Sequence, residues 1–156
     1  MIKKKSINNQ ITKNKKAYFD YEIIDSWEAW VELRWHETKS VRHGHVNLKW
    51  AFIVVINNEL YIKWMHITAW KSLSNRDSLG ADREIKIFLH KKTISYLNWK
   101  SREAWNSIIP LELYFAWSLI KLRVWLAKGK KAYQKKQILK ERTMDREAKL
   151  SMKKFI

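Results

Sequence analysis

Lysines grouped around a glycine are the residues of this chain best suited to binding phosphate. The segment Ala127–Lys131 places three lysines around one of only three glycines among 156 residues. Glycine lets the backbone approach a phosphate closely, and lysine side chains neutralise phosphate charge. The same segment opens the stretch 127–156, which carries eleven Lys and Arg against three Asp and Glu. The pattern predicts a polyanion-binding segment.

Two further clusters combine cations with groups that contact nucleic acid. The segment 15–21 holds Lys15 and Lys16 beside three aromatic residues, whose rings can stack on bases. The segment 39–45 adds Lys39, Arg42 and two histidines. A solvated arm beside ordinary core aromatics would have the first composition, and a plain surface turn would have the second. Composition alone leaves both alternatives open.

Catalytic and metal-binding patterns are weak by comparison. Two of the five histidines, His43 and His45, lie two positions apart, but no third ligand follows at a spacing typical of metal sites. Glu28 and Glu32 would share one face of a strand, yet no nucleophile accompanies them. Three glycines cannot build a Gly-rich phosphate loop. We therefore expect no metal, no cofactor and no enzymatic activity.

Composition points to a polyanionic partner. The formal net charge is +17 and the isoelectric point is near 10.1, which favours nucleic acid first and an anionic membrane surface second. No apolar run approaches the ~20 residues of a membrane span, and the basic first residues lack the apolar core of a secretory signal. The absence of cysteine fits a cytoplasmic protein.

The chain divides into three zones. Residues 1–16 are basic and poor in large apolar residues, which predicts a mobile N-terminal arm. Residues 17–126 carry nearly all the aromatic and β-branched residues and form the predicted body. Residues 127–156 form a basic tail, which we expect to be disordered alone and helical when bound, because the chain offers its apolar residues no partner.

Period-two hydrophobic patterns dominate the body and predict a mainly β fold. Asn57-Asn58 is a good hairpin turn, and Pro110 indicates an edge strand or a bulge. Ser40–His45 and Thr93–Trp99 are predicted as short helices, the second with Thr93 as its cap, and 73–83 has turn composition. This spacing favours a small closed antiparallel barrel. The predicted strands are Ala29–Leu33, Ala51–Ile56, Glu59–Trp64, Lys86–Leu89, Ser107–Phe115 and Leu119–Leu126.

Ten short motifs, taken together and in order, resemble the SsrA-binding protein (SmpB) family over about residues 14–147. Each motif alone is weak, but their shared order is specific. The motifs are Asn14-Lys15-Lys16-Ala17, Asp20-Tyr21, Glu28-Ala29, Glu37-Thr38-Lys39-Ser40-Val41-Arg42-His43-Gly44, Asn47-Leu48-Lys49, Met65-His66-Ile67-Thr68, Phe88-Leu89-His90-Lys91, Ile109-Pro110-Leu111-Glu112-Leu113-Tyr114-Phe115, Ala127-Lys128-Gly129-Lys130-Lys131 and Leu139-Lys140-Glu141-Arg142.

The resemblance implies an oligonucleotide-binding-like β-barrel with short helices that binds the tRNA-like domain of transfer-messenger RNA (tmRNA). It implies delivery of tmRNA to stalled ribosomes for trans-translation, with the tail in the mRNA channel near the decoding centre. Elongation factor Tu would join through alanyl-tmRNA, and the protein would act as a cytoplasmic monomer without covalent chemistry. The alternatives are a generic barrel protein bound to ribosomal RNA, a basic protein on a membrane surface, and an RNA-modifying enzyme.

The resemblance also implies which residues meet RNA. The predicted RNA-binding residues are Asn14, Lys15, Tyr21, Glu28, Lys39, Arg42, Asn47, Leu89, His90, Lys128, Gly129, Lys130 and Lys131. The predicted ribosome-contacting tail residues are Lys135, Lys136, Lys140, Glu141 and Arg142. One departure is that Gln134-Lys135-Lys136 stands where the family has Asp-Lys-Arg, so that the aspartate is lost while the cations are kept.

Tryptophan and glycine usage is inverted, with ten tryptophans against three glycines. Six of the tryptophans fall where the family pattern has glycine. We hypothesise that these are UGA codons, read as tryptophan in the printed sequence and as glycine in the source organism; a tryptophan-rich divergent relative is the alternative. The six positions are Trp30, Trp35, Trp64, Trp99, Trp105 and Trp125.

Overall fold

The structure is a computed structural model, and it describes residues 9–69 and 83–154. The described strands are β1 Gln10–Lys13, β2 Tyr21–Val31, β3 Val46–Asn47, β4 Phe52–Ile56, β5 Glu59–Lys63, β6 His66–Ile67, β7 Ile85–Phe88, β8 Asn106–Ala116 and β9 Leu119–Gly129. The described helices are α1 Lys15–Asp20, α2 Trp35–Arg42, α3 Lys91–Lys100 and α4 Ala132–Lys154.

Six antiparallel strands close into a ring, in the order β8-β4-β5-β7-β2-β9, because β9 pairs with β8 as well as with β2. β1 adds to the outside of β8, and β3 pairs with β6 in a separate two-stranded sheet. The period-two pattern turns one face of each ring strand inward. The main core includes Ile53, Leu60, Ile62, Ile85, Ile87, Leu113, Leu122, Val124 and Leu126, together with Val41 from α2 and Ile94 and Leu97 from α3.

The pairing between β2 and β9 is one of the two long pairings in the sheet. Its register extends from Tyr21 opposite Gly129 to Trp30 opposite Lys121, a length of about 30 Å at a strand rise of about 3.3 Å per residue. We call the end with Tyr21 and Gly129 the tail end, because α4 begins there. We call the opposite end, where a turn at Trp117 joins β8 to β9, the hairpin end.

A smaller apolar cluster fixes α1 on the outer surface of β8 and β9. Ala17 of α1 packs on Ile109, Leu111, Trp125 and Ala127, and all five residues are buried. The ring of Tyr18 meets the indole of Trp125 edge-on at 4.6 Å between centroids. This packing places α1 against the tail end of the sheet.

The predicted mainly β fold and the predicted strands are confirmed. Asn57 and Asn58 have φ values of 50° and 60° and join β4 to β5, as a two-residue hairpin turn requires. The register of β8 against β9 shifts just after Pro110, which confirms a bulge there. The prediction gave only part of β2 and ended β9 three residues early, at Leu126, whereas the strand continues to Gly129.

The N-terminal region differs from the predicted mobile arm where the structure describes it. Residues 10–13 form β1 on β8, and α1 starts at Lys15. The backbone N–H of Asn14 donates to the carbonyl of Leu111 at 2.7 Å, so the chain is held on the sheet between these elements. Residues 1–8 of the predicted arm lie outside the described residues, as does nearly all of the predicted turn region 73–83.

The boundaries of two helices were predicted wrongly. α2 begins at Trp35 rather than Ser40, because the Glu37 carboxylate accepts a hydrogen bond from the backbone N–H of Arg34 at 2.7 Å and caps the helix start. It ends at Arg42, since Gly44 turns the chain with a φ of 78°. α3 extends one residue further at its end than predicted, and His90 rather than Thr93 occupies its N-cap.

Three tryptophans have backbone angles that normally belong to glycine. Trp64, Trp105 and Trp117 have φ values of 59°, 72° and 62°. A bulky side chain with positive φ crowds its own backbone. Two of these residues belong to the six predicted glycine positions, and Trp117 is an addition that the sequence reasoning missed. By contrast, Trp125 is only 4% exposed and fills the cluster under α1.

Candidate nucleic-acid interface

A cleft of about 1260 Å³ opens at the tail end of the sheet. α1, the residues between β3 and β4, the start of β8, the end of β9 and the start of α4 all contribute to its walls. Six lysines line it: Lys16, Lys49, Lys128, Lys130, Lys131 and Lys135. Concave surfaces lined by one sign of charge focus the electrostatic potential, so this cleft attracts anions.

Four of these lysines form no ion pair with any residue that the structure describes. In residues 9–69 and 83–154, no ion pair involves Lys16, Lys49, Lys128 or Lys131. The Lys16 ammonium lies 3.1 Å from the ring centroid of Trp50. Asp20 is the one acidic residue in the cleft wall. Unpaired ammonium groups in a shared cleft can meet phosphates without first breaking an ion pair.

The remaining cleft lysines hold the tail helix on α1. Lys130 donates from its backbone N–H to the Asp20 carbonyl at 2.8 Å and from Nζ to the Tyr18 carbonyl at 3.0 Å. Lys135 Nζ pairs with Asp20 Oδ1 at 2.8 Å. About two helical turns further along α4, the Arg142 guanidinium lies 5.5 Å from the Phe19 ring centroid. These contacts direct α4 away from the sheet over α1.

Asn14 is a structural residue rather than an exposed contact. Its side chain is buried, with Nδ2 donating to the carbonyls of Leu48 at 2.8 Å and Pro110 at 3.2 Å. Its Oδ1 accepts from the N–H of Ala17 at 3.1 Å and caps α1. In this structure Asn14 orients the start of α1, and its RNA-binding role stays a prediction.

The other predicted residues near the tail end are accessible to different degrees. Lys15 is exposed on the first turn of α1, and Tyr21 is half-buried against the cluster beneath that helix. Asn47 is exposed, and its Oδ1 accepts from the N–H of Lys49 at 2.9 Å, which shapes the wall of the cleft. Gly129 has space for a Cβ, so the fold itself does not require glycine there.

Glu28 lies toward the hairpin end, among cations of β9. Its carboxylate is 3.3 Å from Lys121 Nζ and 4.0 Å from Arg123 Nη2, and Arg123 Nη1 also pairs with Glu112 at 2.8 Å. The Tyr114 hydroxyl and the Lys121 ammonium beside it hold the pKa of Glu28 below its ordinary value. Burial, together with the Glu28 carboxylate, raises the pKa of Tyr114 to about 12. The cations here are already neutralised by acids.

The other predicted residues fall away from the cleft. Arg42 Nη2 donates to the Ser118 carbonyl at 2.8 Å, which ties α2 to the hairpin end. Leu89 is half-buried against the main core, and His90 is exposed at the start of α3. Lys39 is exposed on α2, with Nζ 4.6 Å from the ring centroid of Trp35.

The predicted tail contacts all lie on α4. Lys136, Lys140, Glu141 and Arg142 are exposed, and Glu141 accepts a hydrogen bond from Gln137 Nε2 at 3.3 Å. Lys135 differs because it is half-buried in its ion pair with Asp20. α4 therefore presents a basic surface over most of its twenty-three residues.

The structure thus separates the predicted RNA-binding residues into two groups. Asn14, Lys15, Tyr21, Asn47 and the 128–131 segment lie at the tail end, and Glu28, Lys39, Arg42, Leu89 and His90 do not. The predicted RNA-binding residues omitted Lys16, Lys49, Lys121 and Arg123. Lys121 and Arg123 could have been found from their alternation on the outward face of the last strand, whereas Lys49 gave no such signal.

Within the described ranges, no helix is long and apolar enough to cross a membrane. A search of the same residues for groups of three or more His, Cys, Asp and Glu that could hold a metal ion finds none.

Comparisons with known proteins agree on one family. A family profile described as "SmpB protein" matches residues 11–154. An SsrA-binding protein of Staphylococcus epidermidis is 42% identical over 148 residues, covering 94% of each chain. Those of Staphylococcus carnosus and Geotalea uraniireducens are 40% and 41% identical, covering 97% and 92% of this chain and 96% and 94% of their own.

A solved structure gives the same answer for the fold. One chain from a structure described as "tmRNA-SmpB: a journey to the center of the bacterial ribosome" matches with a TM-score of 0.65 and 32% identity. The match covers 78% of this chain and 85% of that one. With a family profile spanning nearly all described residues, and relatives of about 40% identity along their whole length, this chain belongs to the SmpB family.

Proposed function

We propose that this protein binds the tRNA-like domain of tmRNA and delivers it to stalled ribosomes for trans-translation. The observation that carries the proposal is the tail end, where unpaired lysines line a cleft beside the base of a basic helix. Membership of the SmpB family supplies the identity of the RNA. The predicted contacts Lys128, Lys130 and Lys131 lie where phosphates would enter this cleft.

The body and the tail have separate tasks in this proposal. The strand ring and α1 hold the RNA, and α4 enters the mRNA channel of the ribosome and reaches toward the decoding centre. Lys136, Lys140 and Arg142 are exposed on α4 and are available for ribosomal RNA. Elongation factor Tu would join through alanyl-tmRNA. In this proposal these steps are binding events without catalysis, and the protein acts in the cytoplasm as a monomer.

The tail helix gains its stability from its partner. Leu139, Met144 and Leu150 are each more than half exposed on α4, so the helix buries little apolar surface of its own. Isolated helices with so few packing contacts are marginal in water. We expect the part of α4 beyond its contacts with α1 to be disordered in the free protein and helical on the ribosome.

The test is a binding competition with purified protein at moderate salt. Labelled tRNA-like domain would be challenged with unlabelled tRNA-like domain, full tRNA and a random RNA of equal length. We expect only the first to compete efficiently. Equal, salt-sensitive competition by all three would contradict the proposal and favour the alternative, a generic basic protein associated with ribosomal RNA.

A further inference from the structure

We propose that the cleft at the tail end is an RNA backbone site, in which Lys16 and Lys49 contact phosphates together with the lysines of the 128–131 segment. Neither Lys16 nor Lys49 is among the RNA contacts that the family resemblance assigned. The inference rests on the proposed function and extends it, because it names the part of the RNA that this site recognises.

The charges of the cleft come from separate elements of the chain. Lys16 lies on α1 and Lys49 precedes β4, and both ammonium groups lie near the Trp50 ring, at 3.1 Å and 5.7 Å from its centroid. Lys128 belongs to the end of β9, and Lys131 immediately precedes α4. Within the described residues none of these four lysines forms an ion pair, so the cations gathered from four places create a site for an extended anion.

The negative charge of Asp20 in the cleft is already neutralised by an ion pair. Asp20 lines the cleft, but its carboxylate pairs with Lys135 at 2.8 Å and does not oppose an incoming phosphate. The net charge of the six lysines and Asp20 is strongly positive.

The size and chemistry of the cleft favour the phosphate backbone of an RNA strand over a small ligand. A volume of about 1260 Å³ exceeds the roughly 300–1,000 Å³ of most small-molecule pockets. Two polar side chains of the wall are engaged elsewhere: Ser101 Oγ donates to the Asn98 carbonyl, and Asn106 Nδ2 donates to the Lys100 carbonyl and the Glu103 carboxylate. Six ammonium groups set the charge of the cleft, and in protein–nucleic acid complexes most such contacts go to phosphates.

The experiment compares the double variant K16Q/K49Q with the matched control K63Q/K86Q. The control removes the same charge from β5 and β7, where Lys63 and Lys86 are paired with Glu84 and Glu59. Two probes distinguish the source of the phosphates: the isolated tRNA-like domain of tmRNA and purified small ribosomal subunits. Affinity is measured over a series of salt concentrations.

We expect K16Q/K49Q to weaken binding to one of the probes by roughly tenfold or more, and to reduce the slope of log affinity against log salt by about 1.5 for two lost contacts. The probe affected identifies the RNA. Wild-type affinity and slope for both probes would overturn the inference, even if the tRNA-like domain still binds selectively and the proposed function stands. A melting curve verifies folding, and K49Q alone replaces the double variant if it does not fold.

From a different observation we infer that the native protein has glycine at positions 64, 105 and 117. In the described part of the chain, non-glycine residues with positive φ are these three tryptophans and the two asparagines of the β4–β5 turn. Asparagine tolerates that region, but a bulky residue there costs about 1 kcal/mol or more. The indoles recover little of this cost by burial, since they are 62%, 77% and 98% exposed.

Mass spectrometry of the protein isolated from cells that naturally express it tests this directly. We expect peptides with glycine at positions 64, 105 and 117. The internal control is Trp27, which is half-buried against Tyr96 with ring centroids 5.9 Å apart and has no unusual φ; it should stay tryptophan. Tryptophan at any of the three positions overturns the inference for that position.

Discussion

The two ends of the β2–β9 pairing both carry cations but use them differently. At the hairpin end, Lys121 and Arg123 lie against Glu28, and Arg123 also holds Glu112. At the tail end, Lys16, Lys49, Lys128 and Lys131 have no acidic partner among the described residues and share one cleft.

The difference shows why net charge alone is a poor guide to an RNA-binding surface. A lysine that pairs with a carboxylate must exchange that partner for a phosphate, whereas an unpaired lysine only releases counterions. We therefore assign most of the electrostatic affinity to the tail end. The hairpin end supplies a carboxylate, Glu28, which can accept hydrogen bonds from RNA but repels phosphates.

The largest effect is expected from reversing charge at the two ends separately. K128E/K131E should weaken binding to the tRNA-like domain by roughly a thousandfold at moderate salt, because two phosphate contacts become repulsions. K121E/R123E makes the same change in net charge and should cost much less. Fluorescence anisotropy with labelled RNA measures both. Equal losses for the two variants would remove the distinction between the ends.

A stability effect comes next, at Glu37 of α2. Burial alone would raise the pKa of its carboxyl, but hydrogen bonds from the Arg83 guanidinium and the Arg34 backbone hold that pKa below its ordinary value. E37A should lower the free energy of unfolding by about 3 kcal/mol, as expected when one partner of a buried ion pair is removed. Urea melts measure the loss, and E84A, which breaks the exposed Lys63–Glu84 pair, controls for the removal of one negative charge.

The Glu37–Arg83 pair also predicts that the stability depends on pH. Because the pKa of Glu37 is lower in the folded state than unfolded, its contribution is complete above the unfolded value of about 4.3. That contribution is lost as pH falls through the lower folded value. The wild-type protein should therefore lose more stability than E37Q as the pH falls from about 5 to about 3. Parallel pH profiles would show that Glu37 is not the titrating group.

Glu28 provides a smaller and more selective effect. E28Q should weaken binding to the tRNA-like domain by about tenfold, since a hydrogen bond from RNA to a charged group is worth about 1.5 kcal/mol or more. The salt slope should stay unchanged or steepen, because a carboxylate makes no phosphate contact and its loss frees Lys121, while Arg123 keeps its pair with Glu112. A reduced slope would mean that Glu28 only positions these two cations.

Replacing one strained tryptophan should give a modest gain in stability. W117G should stabilise the protein by about 1 kcal/mol, because Trp117 has a φ of 62° and glycine adopts that angle without strain. W35G is the contrasting variant, since Trp35 is exposed on the first turn of α2 and glycine lowers helix stability. Thermal melts compare the two, and a destabilised W117G would refute the strain at this turn.

The smallest expected effect concerns the contact between α1 and the tail. D20N removes the partly exposed ion pair with Lys135, which is worth at most about 1 kcal/mol. Affinity for the tRNA-like domain should barely change, while amide hydrogen exchange in the first turns of α4 should quicken. Unchanged exchange would mean that the hydrogen bonds of Lys130 to Asp20 and Tyr18 hold the tail without the ion pair.

The sequence predicted the strands and the family because both depend on local patterns. Alternating apolar residues gave β4, β5, β7, β8 and β9, and the Asn57-Asn58 turn was evident from its residue types. β1 and α1 were missed because they are stabilised by residues distant in sequence. β1 pairs with β8, and the buried Asn14 between the two elements donates to the carbonyl of Pro110. Short polar segments give no periodic signal of such contacts.

The candidate site was predicted residue by residue but not as a surface. Nothing in the spacing of Lys16, Lys49 and Lys128 indicates that they line one cleft, because the fold brings them together from α1, the residues before β4, and β9. The burial of Asn14 and the pairing of Lys121 with Glu28 likewise depend on tertiary structure. Only the strained angles at Trp64 and Trp105 matched positions that the family pattern had already singled out.

The most direct test of the tail-end assignment is a lysine footprint of the wild-type protein. Solvent-accessible lysines would be acetylated in the free protein and in its complex with the tRNA-like domain, and modification at each site would be quantified by mass spectrometry. The account predicts protection of Lys16, Lys49, Lys128 and Lys131, with Lys63 and Lys86 unchanged. Unchanged modification at those four lysines in a saturated complex would contradict it.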